Sequence, residues 1–178
     1  MLQGLGAETR EVRVPADLEG LDGLVMPGGE STTMTLGIKR EGLADPLREF
    51  VGSGKPVLGT CAGMIMLDRE HLGSMDTLCK RNAFGRQVRS FEEDLEIPGI
   101  EGAVRAVFIR APWIEEHGDG VEVLAAVDGH PVAVRQGSLL AIAFHPEIAG
   151  EPRVHELFLR AVRERLSNAR RPLSPKPR

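Results

Sequence analysis

The stretch that most constrains this chain is the turn Gly59–Gly63, whose sequence is Gly-Thr-Cys-Ala-Gly. The apolar run Pro56–Leu58 precedes the turn, and the apolar run Met64–Leu67 follows it. A β-type run, a turn of small residues around a thiol and a helix-compatible segment are the arrangement of a nucleophile elbow, which raises a reactive side chain above a sheet. The glycines permit the tight backbone and leave room for a substrate carbonyl.

Cys61 is the residue that would react at this turn. A thiol at the start of a helix feels the positive end of the helix dipole, which favours the thiolate and therefore attack. The alternative is a buried structural cysteine between a strand and a helix, because free cysteine is among the most buried residue types. The rest of the chain has to decide between these two interpretations.

Composition narrows the class of protein. The 178 residues suffice for one domain with its own core. The two cysteines, Cys61 and Cys79, lie in different contexts, which argues against a disulfide framework and for a reducing compartment. The formal net charge of -4 comes from mixed acids and bases and does not indicate a nucleic acid or an anionic membrane as partner. With no signal peptide and no apolar run of about 18 residues, we expect a cytoplasmic protein.

The first third of the chain alternates between strand-like and helix-like segments. Residues Arg10–Val14 and Leu21–Met26 read as strands, the first entered from a helix end at Gly4–Gly6. Hydroxyl side chains in Glu30–Thr33 are expected to cap a helix, and a second helix is expected over Leu43–Val51. This alternation predicts an α/β fold with a three-layer, open, mostly parallel sheet flanked by helices.

The second half has a different pattern. Residues 68–101 are predicted to form loops and short strands, and Ala103–Ile109 a strand. Three further strand-like runs, 121–127, 131–135 and 138–144, are separated by the turn pairs Asp128-Gly129 and Gln136-Gly137, which predicts an antiparallel extension of the sheet. An amphipathic helix is expected over Arg153–Leu166. We expect one domain over residues 1–168 and a disordered, proline-rich tail over residues 169–178.

His145 is the best candidate for the base that Cys61 needs. It follows a predicted strand in Phe-His-Pro-Glu, where Glu147 stands two positions further on. A carboxylate there can hold the imidazole in one tautomer while the other ring nitrogen faces the thiol. The alternative is an ordinary histidine at a strand end. The other four histidines are expected to be solvated in loops or on the exposed side of the last helix: His71, His117, His130 and His155.

Pro27–Ser31 supplies the third part of a possible site. Gly28 and Gly29 at the end of a strand expose backbone N–H groups, and such donors aimed at a developing oxyanion are worth roughly 3 to 4 kcal/mol in acyl transfer. The N–H of Ala62, directly after the nucleophile, is the natural second donor. A plain turn and helix cap is the alternative for these glycines. A zinc site would have to use Cys61, Cys79, His71 and His145, and no ligand spacing supports it.

Five motifs together resemble the class I (triad) glutamine amidotransferases, whose fold is flavodoxin-like, and look most like the glutaminase subunits of pyridoxal 5'-phosphate synthases. The resemblance covers Leu2–Leu166. The nucleophile and His-Pro-Glu motifs are shared by all triad amidotransferases, whereas the motifs at 81–87 and 108–112 are particular to these subunits. The motifs are Pro27–Thr33, Gly59–Gly63, Arg81–Gln87, Phe108–Pro112 and Phe144–Glu147.

The resemblance implies an activity and a set of roles. Cys61 would attack the side-chain amide of L-glutamine, His145 would carry the proton to the leaving ammonia, and Glu147 would orient His145. The acyl-enzyme would then be hydrolysed to glutamate without a metal or cofactor. The ammonia would pass to a (β/α)8-barrel synthase subunit that makes pyridoxal 5'-phosphate, in a hetero-oligomer. The glutamine contacts of the family fall on Gly29, Glu30, Ser31, Arg81, Ile109 and Arg110.

The chain departs from the family pattern at two places. Family members normally begin with a strand and a helix that would precede Met1, so we expect the first βα unit to be missing from this sheet. The connection Leu67–His71 is also shorter than usual. The alternatives are an amidotransferase subunit of another synthase, such as that of histidine biosynthesis, a γ-glutamyl hydrolase, or a truncated, non-catalytic subunit that only docks on the synthase.

Overall fold

The computed structural model describes residues 1–84 and 90–169. The end of the 81–87 motif and the predicted tail beyond Ala169 lie outside these residues. Two short 3₁₀-helices, Leu2–Leu5 and Pro15–Leu18, come first. The described α-helices are α1 Ser31–Arg40, α2 Ala44–Gly52, α3 Ala62–Leu67 and α4 Arg153–Ala169. The described strands are β1 Leu24–Met26, β2 Val57–Thr60, β3 Thr77–Lys80, β4 Ser90–Leu95, β5 Val104–Ile109, β6 Trp113–His117, β7 Glu122–Val127, β8 His130–Gln136 and β9 Leu139–Ile142.

A five-stranded mixed sheet organises the molecule in the order β1-β2-β9-β8-β7. β1, β2 and β9 run parallel, and β8 and β7 continue from β9 as an antiparallel meander. Asp128, Gly129 and Gly137 in the two hairpin turns have φ values of 50°, 79° and 58°, as tight hairpins require. The predicted parallel sheet with an antiparallel extension is therefore confirmed. β3 pairs antiparallel with β6, and β4 pairs antiparallel with β5, in two separate two-stranded sheets.

The strand β2 lies at the centre of the core. All four of its residues are buried, as expected for a parallel strand that is covered on both faces. Two glycines then let α3 pack back onto the strands. A Cβ at Gly63 would lie 1.9 Å from the carbonyl oxygen of Met26, and a Cβ at Gly59 would lie 2.7 Å from that of Gly63. A residue with a Cβ atom does not fit between α3, β1 and β2 at these two positions. The glycines therefore fix the position of the Gly59–Gly63 turn on the sheet.

The predicted strand over Arg10–Val14 is wrong. The carboxylate of Asp17 accepts hydrogen bonds from the N–H groups of Arg13 and Val14, at 2.8 and 2.9 Å, and starts the second 3₁₀-helix. A local side-chain acceptor thus replaces the ladder of a sheet. The helix end predicted at Gly4–Gly6 is confirmed, because Gly6 closes the first 3₁₀-helix with φ 80°.

The helix α4 covers the sheet with the predicted apolar stripe, in which Val154, Phe158 and Val162 are buried. His155 on the same helix is buried too, with 6% of its surface exposed, so the prediction that it is solvated is wrong. Within residues 1–84 and 90–169, no helix is long and apolar enough to cross a membrane.

Candidate active site

Cys61 stands at the junction of β2 and α3. Its backbone has φ 48° and ψ -106°, a conformation that non-glycine residues rarely adopt and that is typical of functional turns. Its N–H donates to the carbonyl of Ile142 at the end of β9, at 2.8 Å, and its carbonyl accepts the N–H of Met64 at 3.1 Å. The strained turn is thus held from both sides, and Cys61 is 7% exposed.

His145 follows β9 and lies beside Cys61. Its Nδ1 is 2.7 Å from Oε1 of Glu147, which leaves Nε2 for the thiol. The pKa of His145 is raised to about 10, first by its interaction with the Cys61 thiol and then by its hydrogen bond to Glu147, against an opposing effect of burial. The imidazole is therefore held as a cation next to the thiol at neutral pH, an arrangement suited to a cysteine nucleophile.

The backbone locks this histidine in place. The N–H of His145 donates to the carbonyl of Val107 in β5 at 2.8 Å, and the carbonyl of His145 accepts the N–H of Ile148 at 3.2 Å. Burial is the largest single effect on the pKa of Glu147 and raises it, but the hydrogen bond from His145, a backbone hydrogen bond and the neighbouring imidazole charges together outweigh burial, so this pKa lies below its usual value. Glu147 is therefore ionised opposite the imidazolium.

Gly28 packs directly against the side chains of Cys61 and His145. A Cβ at this position would be 2.4 Å from Cε1 of His145 and 3.4 Å from Cβ of Cys61. Gly29 has φ 152°, which L side chains rarely adopt. Ala62 is the first residue of α3, where backbone N–H groups have no acceptor within the helix. The structure thus brings two of the three candidate oxyanion donors, Gly28 and Ala62, to the nucleophile.

The candidate glutamine contacts lie around this centre on three segments. Nη2 of Arg81 is 3.0 Å from Oε1 of Glu30 and 3.3 Å from Oγ1 of Thr32, which ties the 81–84 segment to the start of α1. The N–H of Ala83 donates to the carbonyl of Ala111 at 3.0 Å, which brings the same segment to Ile109 and Arg110. Ser31 is buried, whereas Arg81, Ile109 and Arg110 are exposed.

Glu30 has a role that the sequence did not predict. Its carboxylate caps α1 by accepting the N–H groups of Thr32 and Thr33, at 3.1 and 2.7 Å, together with the hydroxyl of Thr33 at 2.9 Å. These hydrogen bonds lower the pKa of Glu30 to about 2, and the bond from the N–H of Thr33 has the largest effect. The expected hydroxyl cap is therefore wrong. The carboxylate of Glu30 is already bound by the start of α1 and by Arg81.

The second cysteine is not part of the site. Cys79 lies on β3, and burial, followed by the charge of Asp68, raises the pKa of its thiol far above the ordinary value. Asp68 is buried and also binds His71, with 2.7 Å between Oδ1 and Nδ1, so the prediction that His71 is simply solvated is wrong. His130 likewise stacks on Trp113. Among residues 1–84 and 90–169, no three histidine, cysteine, aspartate or glutamate side chains are grouped to hold a metal.

The chain is similar in sequence to known proteins over most of its length. A family model described as the SNO glutamine amidotransferase family matches residues 1–164. A pyridoxal 5'-phosphate synthase subunit PdxT of Mycobacteroides abscessus is 56% identical over 171 residues, which cover 91% of this chain and 89% of that protein. The protein of the same name from Geobacillus kaustophilus is 51% identical over 170 residues, covering 92% and 87% of the two chains.

Solved structures agree with the fold. A crystal structure of a glutamine amidotransferase superposes with a TM-score of 0.84 and 47% sequence identity, over 90% of this chain and 89% of that chain. A putative GMP synthase subunit from Thermoplasma acidophilum superposes with a TM-score of 0.72 at 17% identity, over 96% and 88% of the two chains. At 17% identity, the second match shows only that the two proteins share a fold.

Proposed function

The chain belongs to the SNO glutamine amidotransferase family, and from this we propose that Cys61, His145 and Glu147 hydrolyse L-glutamine to L-glutamate and ammonia for the synthesis of pyridoxal 5'-phosphate. The family assignment confirms the enzyme class expected from the sequence motifs. The relatives that are more than half identical to the chain are named subunits of pyridoxal 5'-phosphate synthase. The roles of individual residues are our proposal.

The chemistry has two halves. The thiolate of Cys61 attacks the side-chain carbonyl carbon of glutamine, forming a C–S bond and an oxyanion that faces the N–H groups of Gly28, Gly29 and Ala62. The imidazolium of His145 gives its proton to the amide nitrogen as the C–N bond breaks, and ammonia leaves. A water molecule then loses a proton to His145 and attacks the thioester, the C–S bond breaks and glutamate is released.

The outer contacts would hold the amino-acid end of glutamine. Arg81 suits the carboxylate, because a guanidinium binds a carboxylate through two parallel hydrogen bonds. In the free protein this arginine is paired with Glu30 and Thr32, so glutamine has to replace or share these partners. Gly29, Ser31, Ile109 and Arg110 complete the proposed pocket. Because the carboxylate of Glu30 is committed to the helix cap, its part in binding is to hold Arg81 in place.

The ammonia released from glutamine has to be used by a partner enzyme. We infer that the chain works with a pyridoxal 5'-phosphate synthase subunit, since its relatives carry that name, and that this partner is a (β/α)8 barrel in a hetero-oligomer. A cytoplasmic location suits the two free thiols of Cys61 and Cys79.

The observation that carries the proposal is the alignment of a strained Cys61 with a His145–Glu147 pair. The test measures glutamate released from glutamine by the purified chain with and without its synthase partner. Cys61→Ala should abolish release, whereas the control Cys79→Ala should retain it, because the half-buried Cys79 thiol faces the carbonyl of Met64 and is not paired with a base. Turnover by Cys61→Ala would overturn the mechanism. A native chain that binds the partner but releases no glutamate would instead establish the docking-only alternative.

A further inference from the structure

The carboxylate of Asp68 is buried directly after α3 and has no part in the proposed reaction. Only 1% of this residue is exposed. Its Oδ1 accepts the N–H groups of Glu70 and His71 at 3.0 and 3.2 Å, and lies 2.7 Å from Nδ1 of the His71 ring. Its Oδ2 accepts the N–H of Cys79 at 3.2 Å. Aspartate is rarely buried unless donors surround it, and here both oxygens are bound.

The two oxygens of this carboxylate serve different parts of the fold. Oδ1 binds donors two and three residues further along the chain, as in a local Asx turn. Oδ2 instead binds the third residue of β3, eleven residues away, beside the point where β3 shifts register against β6 between Leu78 and Cys79. Sγ of Cys79 also lies 3.9 Å from the carbonyl oxygen of Met64 in α3. Oδ2 thus joins the end of α3 to β3.

The two elements that Asp68 joins each lead to a group of the proposed site. α3 is six residues long and starts directly after Cys61, so it is a short connection between the thiol and Asp68. β3 ends one residue before Arg81, and the bond from Cys79 to Oδ2 lies two residues before this arginine. The proposed nucleophile and the proposed ligand of the glutamine carboxylate therefore lie at the two ends of one hydrogen-bonded unit.

We propose that Asp68 is a positioning residue, which acts through β3 to fix the distance between Arg81 and Cys61 and so the length of the amide substrate that the site accepts. The inference rests on the proposed function, because it concerns how the same site selects glutamine. Glutamine has one methylene group more than asparagine between its α-carbon and its amide, so a fixed distance between the two protein groups distinguishes these substrates. Asp68 touches neither the substrate nor the reacting atoms in this scheme.

The decisive variant is Asp68→Asn, because an amide has one acceptor oxygen and its NH₂ group only donates. With the oxygen on the side of Glu70 and His71, the NH₂ group faces the N–H of Cys79, so the link to β3 is lost. Assayed with the synthase partner, KM for glutamine should rise about tenfold while kcat stays within about twofold, the pattern expected when substrate binding alone is weakened. The preference for glutamine over asparagine, measured as the Ki of asparagine divided by the KM of glutamine, should decrease.

A second variant and a matched control separate positioning from stability. The hydroxyl of Asp68→Ser can still accept the local N–H groups but is too short to reach Cys79, so this variant should raise KM as Asp68→Asn does, even where the asparagine variant fails to fold. His71→Ala removes one bond to Oδ1 and keeps the bond from Cys79. It should lower the melting temperature and leave KM at the native value. An unchanged KM in folded Asp68→Ser would overturn the inference, as would an equal rise in His71→Ala.

A binding measurement separates this inference from the proposed function. In Cys61→Ala, which should bind glutamine without hydrolysing it, calorimetry gives the affinity for glutamine directly. Adding Asp68→Ser to this chain should weaken the affinity about tenfold, in line with the expected rise in KM. An unchanged affinity would contradict the positioning role without any need for turnover. A native chain that releases no glutamate with its partner, in a protein whose affinity for glutamine still falls with Asp68→Ser, would contradict the proposed function alone.

Discussion

The imidazole of His145 lies so close to the backbone of Gly28 that only a hydrogen atom fits between them. A Cβ at Gly28 would be 2.4 Å from Cε1 of His145, well inside van der Waals contact. The ring cannot move away freely, because Glu147 holds its Nδ1 and Val107 holds its backbone N–H. The glycine therefore limits how the imidazole of His145, the proposed base, lies beside Cys61, the proposed nucleophile.

Gly28→Ala should reduce kcat for glutamine hydrolysis by about 100-fold or more, since displacing a catalytic group by about 1 Å has that effect. Gly37→Ala is the matched control. Gly37 lies inside α1 with no atom within 4 Å of an added Cβ, so the change should stabilise the fold by about 0.4–1 kcal/mol. Steady-state kinetics and chemical unfolding check both variants. Normal activity in Gly28→Ala would show that the ring has room to retreat.

Glu147→Gln should move the alkaline limb of kcat/KM to lower pH. In the native chain the pKa of His145 is about 10, and Glu147 is one of the two groups that raise it. Removing the carboxylate lowers this pKa, so the imidazolium loses its proton earlier as pH rises. The rate should fall by up to about 10⁴-fold, as when the acid of another triad is made neutral. A pH–rate profile checks the shift, and an alkaline limb at the native position would contradict it.

The raised pKa of His145 also has a consequence for stability. Because the folded value of about 10 exceeds the ordinary value of 6.5, the protonated form is favoured by folding. This contribution is complete below pH 6.5 and is lost as the pH rises through about 10. The melting temperature should therefore decline over this window, and it should decline less in His145→Gln.

The sequence predicted that Cys61, His145 and Glu147 form one site, but it did not predict what surrounds them. Cys61, His145 and Glu147 stand in short motifs whose residue types already state their chemistry. His155 was assigned to the exposed side of α4 because helical periodicity treats histidine as polar, and the helix in fact buries it. Nothing in the local sequence marks this burial.

At the scale of elements, α1 depends on a carboxylate rather than on a hydroxyl. Glu30 accepts two backbone N–H groups at the start of the helix and also holds Arg81. One side chain thus links the stability of α1 to the placement of the proposed carboxylate ligand. The sequence predicted a cap over Glu30–Thr33 but assigned it to the hydroxyls, because serine and threonine are common N-caps and glutamate is not among the preferred ones.

Glu30→Gln should lower the melting temperature at neutral pH and raise KM for glutamine more than it lowers kcat. Because the pKa of Glu30 falls from 4.5 to about 2 on folding, its contribution is present above pH 4.5 and is lost as the pH falls through about 2. The difference in melting temperature between native and variant chains should therefore disappear in strong acid. Thermal unfolding followed by circular dichroism checks this, and a pH-independent difference would argue against a charge-based cap.

The elements that sequence reasoning missed are those without a periodic signal. β6 was not predicted, because Trp113–His117 carries three polar residues and its partner β3 is short. The segment Arg10–Val14 has the composition of a strand, but Asp17 captures two of its N–H groups. Strand formation depends on partners that composition does not show.

At the scale of the whole molecule, α4 is joined to the edge of the central sheet by a close contact. Gly23 directly precedes β1, and a Cβ there would be 2.8 Å from both Cζ of Phe158 and Cγ2 of Val162. The same helix starts from the turn that carries His145 and Glu147. α4 therefore contacts the edge of the central sheet and also follows the turn of the proposed site.

Gly23→Ala should destabilise the fold by about 1–3 kcal/mol, because an added methyl group overfills this contact. Phe158→Leu makes room for the methyl group, so the double variant should be more stable than the sum of the two single effects predicts. Urea unfolding of the four chains checks the coupling. Strictly additive free energies of unfolding would contradict a direct contact between the added methyl group and Phe158. They would mean that α4 shifts as a rigid body.

Trp113 is the single tryptophan of the chain and serves as an intrinsic fluorescence probe. The indole of Trp113 stacks on His130, with ring centroids 3.6 Å apart, and meets the ring of Phe84 edge-on at 5.2 Å. Phe84 lies three residues after Arg81, on the segment proposed to receive the carboxylate of glutamine. The emission of one unlabelled fluorophore should therefore report ligand binding and partner docking in real time, without any engineered dye.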